Sequence, residues 1–367
     1  MRNHLAFISG LETNNSHRFL LAKFNVDYVV GFKTVGGIEE ALLNLSIPET
    51  TGRGNDNSIP AERENERRMD SVYKRIVGSI RNLPQAINRK YAFRALSWIG
   101  YATRTLTAQE LIVAICVEAE QYQLNDKNIY TLENLLDICN GLVIADEDGK
   151  AVRLVHYSVR NFLDRNKILP EDTKETYRAI ACCTYLSFHA HSLYQDSWGL
   201  ERNSSFLEYA ANNLALHLSM VEHKHYPETT SAVLKLLDSR EHRRTYCRIN
   251  RKIQKDFNIQ RLGLACAIGY EGAVRTLLED DDMDVNAKDE YGHTPLLWAV
   301  RFGHGAVVKC LLDDGRVDQN CKNNAGWMPI ALEIEVRNGE ILTLLLEKRV
   351  EVDFTYKVVS PSNIGRY

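Results

Sequence analysis

The chain has 367 residues, of which 44% are hydrophobic and 25% are charged. This is the composition of an ordinary globular protein, and the length predicts two or three compact units rather than one. The formal net charge of -3 gives no chain-wide basic field, so DNA is not an expected partner.

The eight cysteines are scattered, and no two have the C-x-x-C spacing of a zinc ribbon or a redox disulfide. Most lie in apolar helical patterns, where a free thiol behaves as a small hydrophobic group. No stretch approaches the roughly 20 apolar residues that span a membrane. We therefore expect a cytoplasmic protein without metal, cofactor or membrane contact.

The first two segments differ in their apolar content. Residues 1–48 contain the apolar stretch Phe19–Phe32. Residues 49–68 carry almost no large apolar side chain, so they cannot bury enough surface to offset the entropy of ordering. We therefore predict a flexible linker at 49–68.

Residues 69–165 form the next predicted unit. Apolar residues at helical spacing predict helices near 72–80 and at 85–101, followed by helices at 111–120 and 131–139. Thr107 and Glu110 have the spacing of a capping box, and Gly141 is a helix-stop signal. Short apolar runs at 142–144 and 152–155 flank the turn residues Asp146–Gly149, which predicts a β-hairpin. Helices closed by a hairpin form a winged-helix-like unit.

A winged helix suggests DNA binding, but the charges argue against it. The predicted hairpin tip is acidic, with Asp146, Glu147 and Asp148. The candidate recognition helix carries Glu133 and Asp137 and has no Lys or Arg between residues 131 and 139. Because contacts to phosphate supply much of the affinity for DNA, this surface would repel it.

A helical spacer is predicted at 166–256. Cys182 and Cys183, with His189 and His191, could form a nucleophile or metal site, but the surrounding pattern fits an apolar helix face better. The spacer ends in a basic cluster that could bind RNA, an acidic partner or a lipid surface, although a solvated connecting helix is the favoured interpretation. The cluster consists of Arg240, Arg243, Arg244, Arg248, Arg251, Lys252 and Lys255.

Residues 257–355 contain an internal repeat. The pairs Leu277-Leu278, Leu311-Leu312 and Leu345-Leu346 recur with a constant repeat period of about 34 residues, close to the length of an ankyrin repeat. The middle copy contains Gly292-His293-Thr294-Pro295-Leu296-Leu297-Trp298-Ala299, which resembles the G-x-T-P-L-H-x-A motif of ankyrin repeats. Thr294 is suited to cap a helix, Pro295 to its first turn, and residues 289–292 to a projecting turn. The other two copies are degraded, so we expect the stack to depend on the helices before it. A tail follows at 356–367.

The middle of the chain resembles the winged-helix segment of fungal NACHT–ankyrin proteins, which belong to the signal-transducing NTPases. Residues 17–45 also resemble the last helices of the NACHT module, which implies that residues 1–48 form a helical segment. Residues 206–218 resemble the helix that follows the winged helix. The matching winged-helix residues are Ala92, Leu96, Trp98, Ile99, Ala102, Arg104, Leu106, Glu110, Leu111, Cys139, Gly141, Leu142, Val143, Val155, His156, Ser158, Val159, Phe162 and Leu163.

The resemblance implies an NTPase switch, but no G-x-x-x-x-G-K-S/T phosphate-binding loop occurs in the sequence. We therefore expect a non-enzymatic C-terminal part of such a switch. By motif position, His156 matches a histidine that contacts the ADP phosphate in related ATPases. The alternative is a packed helix-start residue, which the missing phosphate-binding loop favours. A subunit completed by a separate NACHT chain is the alternative.

The fold class predicted is mainly α, with a helical remnant, a winged-helix-like unit, a helical spacer and a short ankyrin-repeat stack. The predicted function is protein binding or scaffolding by that stack, whose concave face and projecting turns are the usual contact surface. The aromatic residues would supply the anchoring area. The candidate partner-binding residues are Asp289, Glu290, Tyr291, His293, Asn323, Asn324 and Trp327.

Overall fold

The structure, a computed structural model, describes most of the chain from residue 61 onward. The described residues are 61–119, 121, 123–124, 129–146, 148–170, 173–188, 205–221, 227–253, 259–336, 339–348 and 350. The predicted helical segment 1–48 and the tail 356–367 lie outside them, as do His189, His191 and Lys255.

These residues contain fifteen helices and two short strands. The first seven elements are α1 (Ala61–Arg81), α2 (Ala86–Tyr101), α3 (Ala108–Cys116), α4 (Leu132–Ile138), β1 (Val143–Ala145), β2 (Val152–Leu154) and α5 (Tyr157–Arg165). The spacer helices are α6 (Glu175–Phe188), α7 (Ser205–Met220), α8 (Pro227–Asp238) and α9 (Arg240–Ile249). The last six are α10 (Arg261–Ile268), α11 (Glu271–Leu278), α12 (Pro295–Arg301), α13 (Gly305–Asp313), α14 (Pro329–Val336) and α15 (Gly339–Glu347). Within this part of the chain, no helix is both long enough and apolar enough to cross a membrane.

The predicted linker was wrong at its C-terminal end, because α1 begins at Ala61. Residues 61–68 are mostly Ala, Glu and Arg, which have high helix propensity, so they extend the helix although they are too polar to form a core. The prediction for 49–60 lies outside the described residues.

The capping box and the hairpin are confirmed. Glu110 N–H donates to Thr107 Oγ1 at 3.2 Å, and Thr107 N–H donates to the Glu110 carboxylate at 2.8 Å. The sheet pairs β1 with β2. Helix α3 ends at Cys116 rather than near residue 120, because Val117 is extended and fully buried, so the chain leaves the helix to keep this side chain in the core.

The chain divides into two compact units, and the predicted 69–165 unit contributes to both. Unit 1 contains the described residues up to Leu96, together with Glu133–Ile144 and Arg153–Ile168. In it α1 packs on α5 through the fully buried Tyr73, whose ring centroid lies 5.4 Å from that of Phe162. The Tyr73 hydroxyl is 2.8 Å from Ser158 Oγ, and burial raises the pKa of Tyr73 to about 12.

Unit 2 contains Ser97–Leu132, Ala145–Val152 and the described residues from Leu169 onward. Its core includes the fully buried Trp98, and α7 packs against α3 and α6. The last six helices form three pairs, α10–α11, α12–α13 and α14–α15, each starting one repeat period after the one before. Neighbouring pairs pack on each other, and α8 packs on α10 and α11. Helix α8 thus joins the first repeat pair to the preceding helices, and the dependence of the repeats on those helices stays a prediction.

Candidate functional site

The turn at Asp289–Gly292 is held together by one buried carboxylate. Asp289 Oδ1 accepts hydrogen bonds from the backbone N–H groups of Tyr291 and His293, each at 2.8 Å. Its Oδ2 accepts from the indole N–H of Trp298 at 2.8 Å. The Asp289 side chain is only 2% exposed, so it shapes the turn and is not available to a partner.

The next turn, Asn323–Gly326, is built in the same way one repeat period later. Asn323 Oδ1 accepts from the backbone N–H groups of Ala325 at 3.0 Å and Trp327 at 2.9 Å. The Asn323 side-chain amide lies 3.2 Å from Nε2 of the buried His293. Asn323 and His293 therefore form a contact between turns rather than an open surface.

Backbone contacts join the two turns directly. Asn324 N–H donates to the Tyr291 carbonyl at 2.9 Å, and the Asn324 side-chain amide donates to the Glu290 carbonyl at 3.0 Å. Backbone groups that are hydrogen-bonded in this way hold the exposed side chains at fixed separations.

The accessible part of the candidate set is smaller than predicted. Glu290 and Asn324 are exposed, and Tyr291 and Trp327 are half-buried. Two exposed lysines that the sequence interpretation missed lie beside them, and Lys288 Nζ donates to the Lys322 carbonyl at 3.0 Å. Their separation by one repeat period was the signal that could have identified them. We call this set the turn surface: Lys288, Glu290, Tyr291, Lys322, Asn324 and Trp327.

The helix starts behind the turn surface follow the sequence prediction. Thr294 Oγ1 caps α12 by accepting from Leu297 N–H at 3.4 Å, and Pro295 occupies the first turn. Gln260 stands one repeat period before Thr294, and it makes no side-chain cap before α10. One hydrogen-bonded contact between repeats was not predicted. The Arg316 guanidinium donates to the carbonyls of Leu278 and Asp280, at 2.6 and 3.0 Å.

Gly292 is where the two turns come closest. Its φ is +76°, and a Cβ there would lie 2.7 Å from the backbone nitrogen of Asn324. We expect Gly292→Ala to destabilise unit 2 by about 2–3 kcal/mol, because it adds a steric conflict to the cost of a left-handed residue. Urea unfolding monitored by circular dichroism measures this.

Gly326 supplies the matched control for that substitution. It has nearly the same φ, +84°, but a Cβ added there would have no atom within 4 Å. Gly326→Ala should therefore lower the free energy of unfolding by only about 1 kcal/mol, the cost of holding a non-glycine residue in the left-handed conformation. An equal decrease in the free energy of unfolding for Gly292→Ala and Gly326→Ala would contradict the close packing of the two turns.

Part of the basic cluster makes contacts within the fold. The Arg243 guanidinium donates to the backbone carbonyls of Asp238 and Ile259, at 3.1 and 3.2 Å. Arg251 pairs with Glu208, and Arg244 lies 3.6 Å from Glu241. Arg240, Arg248 and Lys252 are exposed. Three of the six described cations thus have partners within the fold, while Arg240, Arg244 and Arg248 recur every fourth residue along α9 and Lys255 lies outside the described residues.

His156 is the N-cap of α5. Its Nδ1 accepts from Ser158 N–H at 3.3 Å and lies 2.8 Å from Ser158 Oγ. The Tyr157 ring packs against it with centroids 4.2 Å apart. His156 therefore has the helix-start role, which the sequence analysis gave as the alternative to a contact with the ADP phosphate.

The hairpin tip and the cysteine pair have ordinary structural roles where they are described. Asp146 Oδ1 accepts from the backbone N–H groups of Lys150 and Ala151, and Glu147 lies outside the described residues. Cys182 and Cys183 are buried, and burial raises the pKa of both thiols, which disfavours the reactive thiolate. No group of three potential metal-ligating side chains occurs in the described chain.

Two family models match separate parts of the chain. Residues 262–357 match a model described as ankyrin repeats in three copies. Residues 81–173 match a model described as the winged helix domain of GPI inositol-deacylase. No curated protein is found to match the chain. The protein is therefore mainly helical, with a winged-helix domain followed by ankyrin repeats, as predicted.

Proposed function

We propose that this protein binds another protein through the turn surface of its ankyrin repeats and acts as a scaffold rather than a catalyst. Ankyrin repeats are non-catalytic interaction modules. The observation that carries the proposal is the hydrogen bonding of the two turns to each other, through Asn324 and the carbonyls of Glu290 and Tyr291. A surface fixed in this way loses little conformational entropy when a partner binds.

The chemistry of the turn surface supports a protein partner. Tyr291 and Trp327 are half-buried, so each offers an aromatic surface without being free to rotate widely. Lys288 and Lys322 lie at equivalent positions of the two turns, and Glu290 adds one acidic group. Aromatic anchors surrounded by mixed charge are typical of protein interfaces. The combination with a winged-helix domain favours a role in a signalling assembly.

The proposal is tested with a Tyr291→Ala/Trp327→Ala double variant. Proteins enriched by the wild-type chain are compared with those enriched by the double variant, and the affinity for the purified partner is then measured by calorimetry. We expect the double variant to bind at least about 30-fold more weakly, since truncating a hot-spot residue costs about 2 kcal/mol or more.

Lys309→Ala is the matched control, because Lys309 is an exposed residue of α13 outside the turn surface. It should retain the partner with unchanged affinity. Equal affinity of the double variant and the wild type would refute the assignment of the surface. ATP hydrolysis by the purified chain would refute the non-catalytic role.

A further inference from the structure

The third helix pair of the repeats carries exposed apolar side chains. Ile334 and Val336 on α14 are 45% and 39% exposed, and Leu346 on α15 is 52% exposed. We call these three residues the end face. Exposed apolar groups on two neighbouring helices are a typical sign of a surface that another element covers.

The preceding helix pair shows what the end face is built to contact. Val300 and Leu312 stand one repeat period before Ile334 and Leu346, and they are 0% and 3% exposed. They lie on the pair against which α14 and α15 pack. At two of its three positions the end face therefore corresponds to residues buried in the preceding pair, whereas Phe302, one period before Val336, is half-buried. No described residue covers the end face.

The sequence that follows the end face has a pattern suited to covering it. Val350 is buried, with 4% exposure, and residues 351–367 lie outside the described part of the chain. Apolar and polar residues alternate there, with Val352, Phe354, Tyr356 and Val358 at every second position. Alternation of this kind directs one apolar face of an extended segment toward a core. The ankyrin-repeat match also continues past Val350, to residue 357.

We propose that residues 351–358 cover the end face, with Val352, Phe354 and Tyr356 packed on Leu346 and Ile334. An extended segment of this length spans roughly 25 Å, enough to reach across a pair of helices. Because it is joined directly to the buried Val350, it loses little entropy on closing the loop and outcompetes a separate chain. The segment thus replaces the neighbouring repeat that the other interfaces have.

A cysteine placed on the end face tests this. All eight native cysteines are buried, so Leu346→Cys adds one thiol whose reaction with Ellman's reagent reports the accessibility of the face. Lys309→Cys, on the exposed side of α13, is the accessible reference. We expect the thiol introduced at position 346 to react at least about 10-fold more slowly than this reference, at every protein concentration.

The same two thiols are then placed in a Phe354→Asp/Tyr356→Asp background. The thiol at position 346 should now react as fast as the reference, while the reference rate and the far-UV circular dichroism stay unchanged. Fast reaction at position 346 in the unaltered segment would overturn the proposal. Protection that grows with protein concentration would assign the face to a second copy, and protection that survives the double substitution would assign it to another part of the chain. Either result would also overturn it.

Discussion

Trp98→Ala is expected to lower the free energy of unfolding of unit 2 by about 3–5 kcal/mol, the range for emptying a fully buried aromatic site. The Trp98 ring is 0% exposed and meets several other rings edge-on. Its centroid lies 5.3 Å from that of Phe206, 5.9 Å from Tyr209 and 5.6 Å from His217. The substitution removes these contacts and leaves a cavity, and urea unfolding followed by far-UV circular dichroism measures the loss.

Trp327→Ala is the control, because it removes the same side chain from a half-buried position on the turn surface. Its cost should stay near 1 kcal/mol, as is usual outside a core. If Trp98→Ala cost no more than Trp327→Ala, the placement of Trp98 at the centre of unit 2 would be wrong.

The second large effect is expected from Arg178→Met, which should destabilise unit 2 by about 3–5 kcal/mol. The Arg178 side chain is 2% exposed, and its guanidinium pairs with Glu175 and donates to Ser97 Oγ. It also donates to the Thr173 carbonyl at 3.3 Å and lies 5.1 Å above the Tyr101 ring. Removing the arginine leaves the Glu175 carboxylate without its cation in a largely buried site. The same urea unfolding experiment gives the value.

The ionisation of the neighbouring groups supports this expectation. Burial alone would raise the pKa of Glu175, but the adjacent His217 and Arg178 hold it below its usual range. Burial lowers the pKa of His217, which is fully enclosed, so near neutral pH this imidazole is uncharged. Arg178 is therefore the main compensating charge for Glu175 at neutral pH.

Arg244→Met provides the matched comparison for Arg178→Met. Arg244 and Glu241 have the same i, i+3 spacing on a helix as Arg178 and Glu175, but their side chains are 36% and 37% exposed. Such a pair contributes little, so this variant should lose less than about 1 kcal/mol. In a double-mutant cycle, Glu175→Gln should recover part of the loss from Arg178→Met. If the changes in unfolding free energy from Arg178→Met and Glu175→Gln were simply additive, the proposed interaction between Arg178 and Glu175 would be wrong.

Much of the repeat region was predictable from the sequence because its signals are local and recur. The constant leucine spacing, Thr294 as a cap and Pro295 in the first turn each depend on neighbouring backbone positions. The capping box at Thr107 and Glu110 was predictable for the same reason. These features need no knowledge of which distant segments meet.

The candidate site was only partly predictable, because exposure is decided between turns that are distant in sequence. Asp289 and Glu290 are adjacent acidic residues in one turn, and sequence alone offered no reason to separate them. The fold turns the Asp289 carboxylate inward to Trp298 and leaves Glu290 exposed. Contact between successive repeats also positions Lys288, whose ammonium donates a hydrogen bond to the Lys322 carbonyl.

By itself, the sequence determined the repeat period and the capped helix starts at Thr107 and Thr294, since short-range backbone chemistry controls both. Tertiary structure alone decided which polar residues became internal. It placed Arg178 in a buried pair and Arg244 in an exposed one, although both have a glutamate three residues before them on the same helix. The difference arises because burial depends on the helices that pack around a residue, and those come from distant parts of the chain.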